Sequence, residues 1–271
     1  DLKSRIYLSN KEQLIEKGNY IKKRFYIDSF EKLINNSTRE LIFIVGMPRS
    51  GSTLLENILS INEEVVDLGE IEILSNVMKN YEPSNSDNDP YESYIKELNK
   101  LHPKAKIATD KNLFNYIYSP VIKKYFKNSK IIFCLRNPLD NILSIYKSNF
   151  TKVPFSTNLK DIAELYIYHY ELMKSYSKSY NDILFTYSYD KLVADPDNQI
   201  KKIINWLGWE WSNSYLTPHK NVRSVFTASS EQVRNPVNKS SVGSWKNYKD
   251  LLKPAYDLIS NHRDLKKYLH S

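Results

Sequence analysis

The run Leu41-Ile-Phe-Ile-Val-Gly-Met-Pro-Arg-Ser-Gly-Ser-Thr-Leu-Leu55 decides the fold. Its first five residues are apolar, and Ile42, Ile44 and Val45 are β-branched, as expected of a short strand buried on both faces. Gly46 and Gly51 bracket a turn, and Leu54, Leu55, Ile58 and Leu59 then recur at helical spacing. A strand, a glycine loop and a helix together make an anion site. Loop amides of residues 49–53 can converge on a negative group at the positive end of the helix.

The spacing Gly46-x-x-x-x-Gly51-Ser52-Thr53 follows that of a nucleotide-binding P-loop except at one position, where Ser52 replaces the lysine. That lysine normally reaches the terminal phosphates beside a magnesium ion, so its absence argues against triphosphate hydrolysis. Arg49 puts a different cation inside the loop.

The 271 residues suffice for one large α/β domain with an appendage, and 41% hydrophobic content supports a real core. A net charge of +8 suits anionic partners, yet the lysines are scattered, with no block of five or six basic residues. This favours a small anionic ligand over nucleic acid. Cys134 is the single cysteine, which excludes an intrachain disulfide and a cysteine zinc site and points to a reducing, cytoplasmic compartment. No apolar run approaches the ~18–20 residues of a membrane span. The chain begins at Asp1 without Met, which leaves a preceding segment open.

Residues 1–38 read as an N-terminal helical extension and 39–271 as the α/β domain. Further strands are expected at Lys106–Lys111, Lys130–Arg136 and Asp182–Ser188. Helices are expected over 91–101, 116–127, 159–179, from Pro196 to Gly208, and over 252–270, with 63–70 a plain connection and 209–247 mostly irregular. Asn137 should cap a helix beginning at Pro138. Strands alternating with helices imply a mainly parallel sheet, whose ligands bind at the carboxyl ends of the strands. Arg49, Lys111, Arg136 and Tyr189 all fall there.

These residues also form a pattern. Val45-Gly-Met-Pro-Arg-Ser-Gly-Ser-Thr53 resembles the 5′-phosphosulfate loop of sulfotransferases, and Leu135-Arg-Asn-Pro-Leu-Asp-Asn-Ile-Leu-Ser144 resembles their 3′-phosphate motif. The likeness runs over residues 40–250 and is greatest to the tyrosylprotein-sulfotransferase-like branch, including bacterial members that carry a tetratricopeptide array. It implies a P-loop-like parallel sheet flanked by helices and the donor 3′-phosphoadenosine 5′-phosphosulfate (PAPS), used without metal. Arg49, Ser50, Gly51, Ser52 and Thr53 would hold the 5′-phosphosulfate. Arg136 and Ser144 would hold the 3′-phosphate if the chain turns sharply at Asn137-Pro138. Tyr189 would lie near the adenosine.

The resemblance further makes Lys111 the catalytic lysine, Ser229 (or its neighbour Ser230) a second donor, and Glu70 (or Glu72) the base that takes the acceptor proton. A glutamate is a weak base toward a phenol, and partial burial would strengthen it. A loose transition state, by analogy with phosphoryl transfer, lets the proton leave late. The chain departs from the pattern at Ser244, where the family has a basic residue before the tryptophan matching Trp245, so that contact is lost or moves to Lys246. The family's further basic contact falls on Ser148, beside Lys147. The implied activity is direct in-line sulfuryl transfer to an acceptor hydroxyl: a protein or peptide tyrosine, a sugar or a small metabolite. A homodimer is compatible with the chain. The competing readings are a divergent P-loop kinase and a binding module that kept the fold without catalysis.

Overall fold

The computed structural model describes residues 10–26, 39–82, 89–148, 150, 153, 155–221, 223 and 234–269. Five strands form one parallel sheet: β1 (Glu40–Gly46), β2 (Val65–Asp67), β3 (Ile107–Asp110), β4 (Ser129–Leu135) and β5 (Leu184–Ser188), in the order β2-β3-β1-β4-β5. β1 is central and buried along nearly its whole length. Its side chains alternate between two cores, with Leu41, Phe43 and Val45 in one and Ile42 and Ile44 in the other. That is the period-2 pattern of a strand covered on both faces, and it explains the unbroken apolar run. Cys134 of β4 lies in the second core as filler, and burial pushes its thiol up.

The helices that follow β1 and β4 leave on opposite faces. Leu55, Ile58 and Leu59 of α2 (Ser52–Leu59) join one core. The other core takes Leu139, Ile142 and Leu143, which lie beyond β4 in the helix Pro138–Lys147. This divergence opens a crevice between the carboxyl ends of β1 and β4, the topological switch point where open α/β sheets bind ligands.

The remaining helices are, with α1 before β1, α1 (Glu12–Phe25), α3 (Ile73–Lys79), α4 (Pro90–Leu101), α5 (Ser119–Tyr125), α6 (Pro138–Lys147), α7 (Leu159–Ser179), α8 (Tyr189–Ala194), α9 (Pro196–Leu207) and α10 (Lys253–Asn261). Ile21 and Phe25 anchor α1 in the larger core. Asn137 caps α6 by accepting from the amides of Leu139 and Asp140, and Gly208 ends α9 in the left-handed region.

Three expectations needed revision. The connection 63–70 contains the edge strand β2, too short for periodicity to reveal. The helix expected over 116–127 is a 3₁₀ segment, Leu113–Tyr118, followed by α5 with Pro120 near its start. The helix expected over 252–270 stops at Asn261, and a separate 3₁₀ turn covers Lys266–Leu269. Among the described residues no helix is long and apolar enough to cross a membrane.

Candidate active site

Sheet order places the site residues in a row. Lys111 follows β3, the glycine loop follows β1, Arg136 follows β4 and Tyr189 follows β5. Neighbouring strands lie ~4.8 Å apart, so these groups span roughly 15 Å of one sheet edge.

The loop after β1 is under backbone tension. Arg49 is the one non-glycine among the described residues with positive φ, at 67°. An L-residue in that region costs about 1–2 kcal/mol and persists only where neighbours impose it. Those neighbours come from the segment after β4. Arg136 Nη1 donates to the Arg49 carbonyl at 2.9 Å, and Asn141 Nδ2 donates to the Pro48 carbonyl at 2.9 Å. With two carbonyls tied back, the loop leads into the first turn of α2, whose leading amides have no partners within the helix. Gly51 caps that helix at φ 89°, and a Cβ there would collide with the Tyr189 ring. Glycine is required by both conformation and space.

Arg136 is itself buried, only 7% exposed. Its Nη2 donates to the Ser241 carbonyl at 3.0 Å, its guanidinium stacks 4.9 Å from the Tyr189 ring centroid, and the Tyr166 hydroxyl donates to the Arg136 carbonyl at 2.6 Å. Its Nε is buried without a hydrogen-bond partner among the described residues. Arg49 Nε donates to Ser144 Oγ at 3.2 Å, so the capping turn at Asn137 does bring Ser144 back to the loop. Burial, and then the nearby charge of Arg136, holds the Arg49 guanidinium below its usual value.

Arg49, Thr53, Arg136, Ser144 and Tyr189 line a cavity of about 260 Å³, closed on its far side by residues 235–241. Ser50 and Ser52 are buried in the loop beneath it, and Ser50 Oγ has no hydrogen-bond partner among the described residues. Unsatisfied buried donors beside two guanidiniums suit an anionic ligand with oxygens to share.

The closing segment is held by one carboxylate. Asp140 accepts from the Gly243 amide at 2.7 Å, from Ser244 Oγ at 3.0 Å and from the Trp245 amide at 2.9 Å. Ser244 therefore fastens a turn where a basic side chain was expected. Lys246 is exposed on the 3₁₀ segment Ser244–Tyr248 and is not among the residues lining the cavity. Ser148 donates to the Ser144 carbonyl. Ser229 and Ser230 lie outside the described residues.

On the other side of the loop, Lys111 is fully buried. Its Nζ donates to Glu70 Oε1 at 3.1 Å and lies 3.6 Å from Glu56 Oε2. Its amide bonds to the Gly69 carbonyl at 2.9 Å, and the Leu68 amide bonds to the Thr109 carbonyl at 2.9 Å, which fixes Glu70 opposite Lys111. The Glu70 side chain is 57% exposed, so Lys111 rather than burial holds it. Glu72 is two residues further on, at the N-cap of α3.

Sequence reading missed Glu56. It sits on α2 among residues that are buried nearly all round, and the available signal was a glutamate between the apolar positions Leu55 and Ile58. Ser241 carries no motif, and Asp140, although it lies within the Leu135–Ser144 motif, was missed because its partners Gly243, Ser244 and Trp245 are about a hundred residues away. Among the described residues no cluster of His, Cys, Asp and Glu is placed to hold a metal ion.

Comparison with known proteins agrees with this geometry. The model of the sulfotransferase family matches residues 41–213, well over half the chain. A protein of Aquifex aeolicus (strain VF5) is 28% identical over 245 residues, which cover 80% of this chain but 32% of that protein. Chicken protein-tyrosine sulfotransferase 2 is 26% identical over 239 residues, covering 76% of this chain and 62% of the relative. The chain thus spans about a third of the first relative and under two thirds of the second. Among solved structures, the sulfotransferase domain of a Synechococcus olefin synthase superposes with a TM-score of 0.63 at 16% identity, covering 90% of this chain and 99% of that domain. A mouse sulfotransferase complexed with PAP superposes with a TM-score of 0.57 at 20% identity, covering 96% and 93%. Strand order, loop and matched family model lead to one conclusion: the chain belongs to the sulfotransferase family.

Proposed function

We propose that this chain moves a sulfuryl group from PAPS to an acceptor hydroxyl by direct in-line transfer. The observation that carries the reading is the convergence of Arg49, Arg136 and Ser144 on one cavity, one strand away from the Lys111–Glu70 pair. The residues present fit the donor. Arg136 Nε and Ser50 Oγ are buried donors in want of acceptors, and Gly51 lets the loop sit close against the Tyr189 ring that lines the cavity.

When bound, PAPS supplies an activated sulfuryl group on a good leaving phosphate. Arg136 and Ser144 would take the 3′-phosphate, while Arg49 and the loop amides would take the 5′ end. Tyr189 would bound the adenosine side. Glu70 Oε1 would accept the hydroxyl proton as the acceptor oxygen bonds to sulfur. Lys111 Nζ would neutralise charge on the departing bridging oxygen, a role matched to an ammonium already fixed in a dry site. The exposure of Glu70 suits a group that must meet an incoming acceptor. The name of the chicken relative favours a tyrosine hydroxyl among the candidate acceptors.

Calorimetry with PAP tests the donor site. Saturable binding is expected, and no heat at about tens of micromolar, with magnesium-dependent ATP turnover in its place, would overturn the reading. Glu70→Gln should retain PAP affinity and lose roughly 10²-fold or more in turnover of a phenolic acceptor, the usual scale for a general base.

A further inference from the structure

Lys111 has two carboxylates and one positive charge. The more exposed partner, Glu70, takes the 3.1 Å hydrogen bond, while the buried partner, Glu56, reaches in from helix α2 and stands 3.6 Å away. Glu56 is not loosely placed. Thr109 Oγ1 donates to its Oε1 at 3.3 Å, and the Gly69 amide, next to Glu70 in the chain, also donates to it. One carboxyl therefore touches the lysine of the transfer site and the residue that precedes the base.

We propose that Glu56 is a positioning residue of the transfer site, which competes with Glu70 for the Lys111 ammonium and, once ionised, withdraws that charge from the reacting oxygen. The proposal rests on the sulfotransferase reading for its effect on turnover. Its structural part, the competition, rests on geometry alone.

The charge inventory gives the direction. The groups facing Glu56 are Lys111 and Thr109 at the end of β3, Asp110 beside them, Asp67 at the end of β2, and Cys134 on β4. Asp67 is paired with Arg223 at 3.3 Å, so little of that positive charge reaches Glu56. Burial raises the Glu56 carboxyl to about 7, against the opposing pull of Lys111. Below that pH Glu56 is neutral, and Lys111 with Glu70 forms a balanced pair. Above it a second anion enters a low-dielectric site, where its attraction for Lys111 is strong. A lysine drawn toward Glu56 stabilises a departing oxygen less, so kcat should fall as pH rises through about 7.

Two measurements decide the matter. In protein labelled with ¹³C at glutamate carboxyl carbons, which keeps Asp110 out of the spectrum, Glu56 should titrate near 7. Its midpoint should move down in Glu70→Gln, because Lys111 then has a single carboxylate to serve, and up in Lys111→Met. A Glu56 midpoint unmoved by both substitutions overturns the competition. The second measurement is the kcat–pH profile of Glu56→Gln with PAP affinity as control. The variant should match the wild type near pH 6 and exceed it by about tenfold at pH 9, with PAP affinity within about twofold. A role confined to packing would instead scale the profile down uniformly, and that outcome overturns the effect on turnover. Wild-type protein that binds no PAP would sink the sulfotransferase reading. The titration would still uphold or overturn the competition.

Discussion

The two ends of the site hold their cations in different ways. At the cavity, Arg136 is fixed by the carbonyls of Arg49 and Ser241 and by the ring of Tyr189, and Arg49 by the hydroxyl of Ser144. At the transfer end, Lys111 is fixed by the carboxylates of Glu70 and Glu56. The hydrogen bonds of Arg136 go to neutral carbonyls, and the Asp190 carboxyl acts on it only through space, so the guanidinium is oriented while much of its charge stays available to an outside anion. Carboxylates cancel the charge until the reaction perturbs the balance. One end is built for affinity and the other for a change that occurs only during transfer. Substitutions should therefore divide cleanly between binding and rate.

The largest separation is expected from Lys111→Met. Turnover should fall by roughly 10²–10³-fold, the usual cost of removing one preorganised donor to a developing anion, with PAP affinity changed only a few-fold. Methionine keeps most of the stem volume, and the buried Glu56 is left to take up a proton rather than stay ionised. A loss of affinity as large as the loss of rate would erase the distinction between the two ends. Arg136→Ala is the converse. It removes charge-assisted hydrogen bonds worth about 1.5–3 kcal/mol each, so PAP affinity should weaken by roughly 10–100-fold. Arg136→Lys should recover little, because an ammonium has no planar fork to bond the Arg49 and Ser241 carbonyls while stacking on Tyr189.

The transfer end should also reveal itself in stability. The Glu56 carboxyl rises from an ordinary 4.5 to about 7 in the fold, chiefly by burial. The folded state thus binds a proton that the unfolded chain has already released. Stability from this group is full below 4.5 and is lost as pH rises to about 7. The difference corresponds to roughly 3 kcal/mol at most. Asp110, raised by burial from 3.8 to about 7, acts in the same direction, and His169, lowered by burial from 6.5 to about 4, acts oppositely as pH falls. The clean measure is therefore the variant minus the wild type. Glu56→Gln should gain stability relative to the wild type between pH 5 and pH 8 in denaturant melts, and an unchanged difference would show that Glu56 stays ionised throughout.

The cavity end was far more legible in the sequence than the transfer end, and the reason is geometric. Gly46, Arg49 and Gly51 lie within six residues, and a strand-loop-helix turn fixes their arrangement locally. Arg136 and Ser144 are joined by the Asn137-Pro138 cap, which the sequence also announces. Lys111 could be placed at a strand end, while Glu70 was picked out by the resemblance alone, and its position opposite Lys111 came only with the structure. Glu56 lies on the helix of that same strand-loop-helix unit, but its partner Lys111 does not. The two meet only because β3 lies beside β1 in the sheet, and strand order is not written in any short stretch of chain. The edge strand β2, three residues long, was hidden for a similar reason: its pairing with β3 rather than its own pattern makes it a strand.

The smallest predicted effect concerns Ser244, where the sequence departs from the family's basic residue. Its hydroxyl is one of three donors to Asp140, and the other two are main-chain amides that survive any substitution. Ser244→Ala should therefore weaken PAP affinity by only about two- to fivefold, about 0.5–1 kcal/mol for one hydrogen bond among several. Asp140→Asn should cost more, because it removes the charge from all three bonds and loosens the turn that carries Ser241, whose carbonyl holds Arg136 and whose hydroxyl bonds to Tyr189 at 3.0 Å. Both effects should appear in PAP affinity and leave kcat at saturating donor nearly unchanged. If Ser244→Lys instead tightens PAP binding by tenfold, the turn tolerates a charge facing the donor and the cavity was incomplete without it. If affinity falls, the serine is the better solution for a loop already fastened by Asp140, and the positive charge that this end requires resides in Arg49 and Arg136.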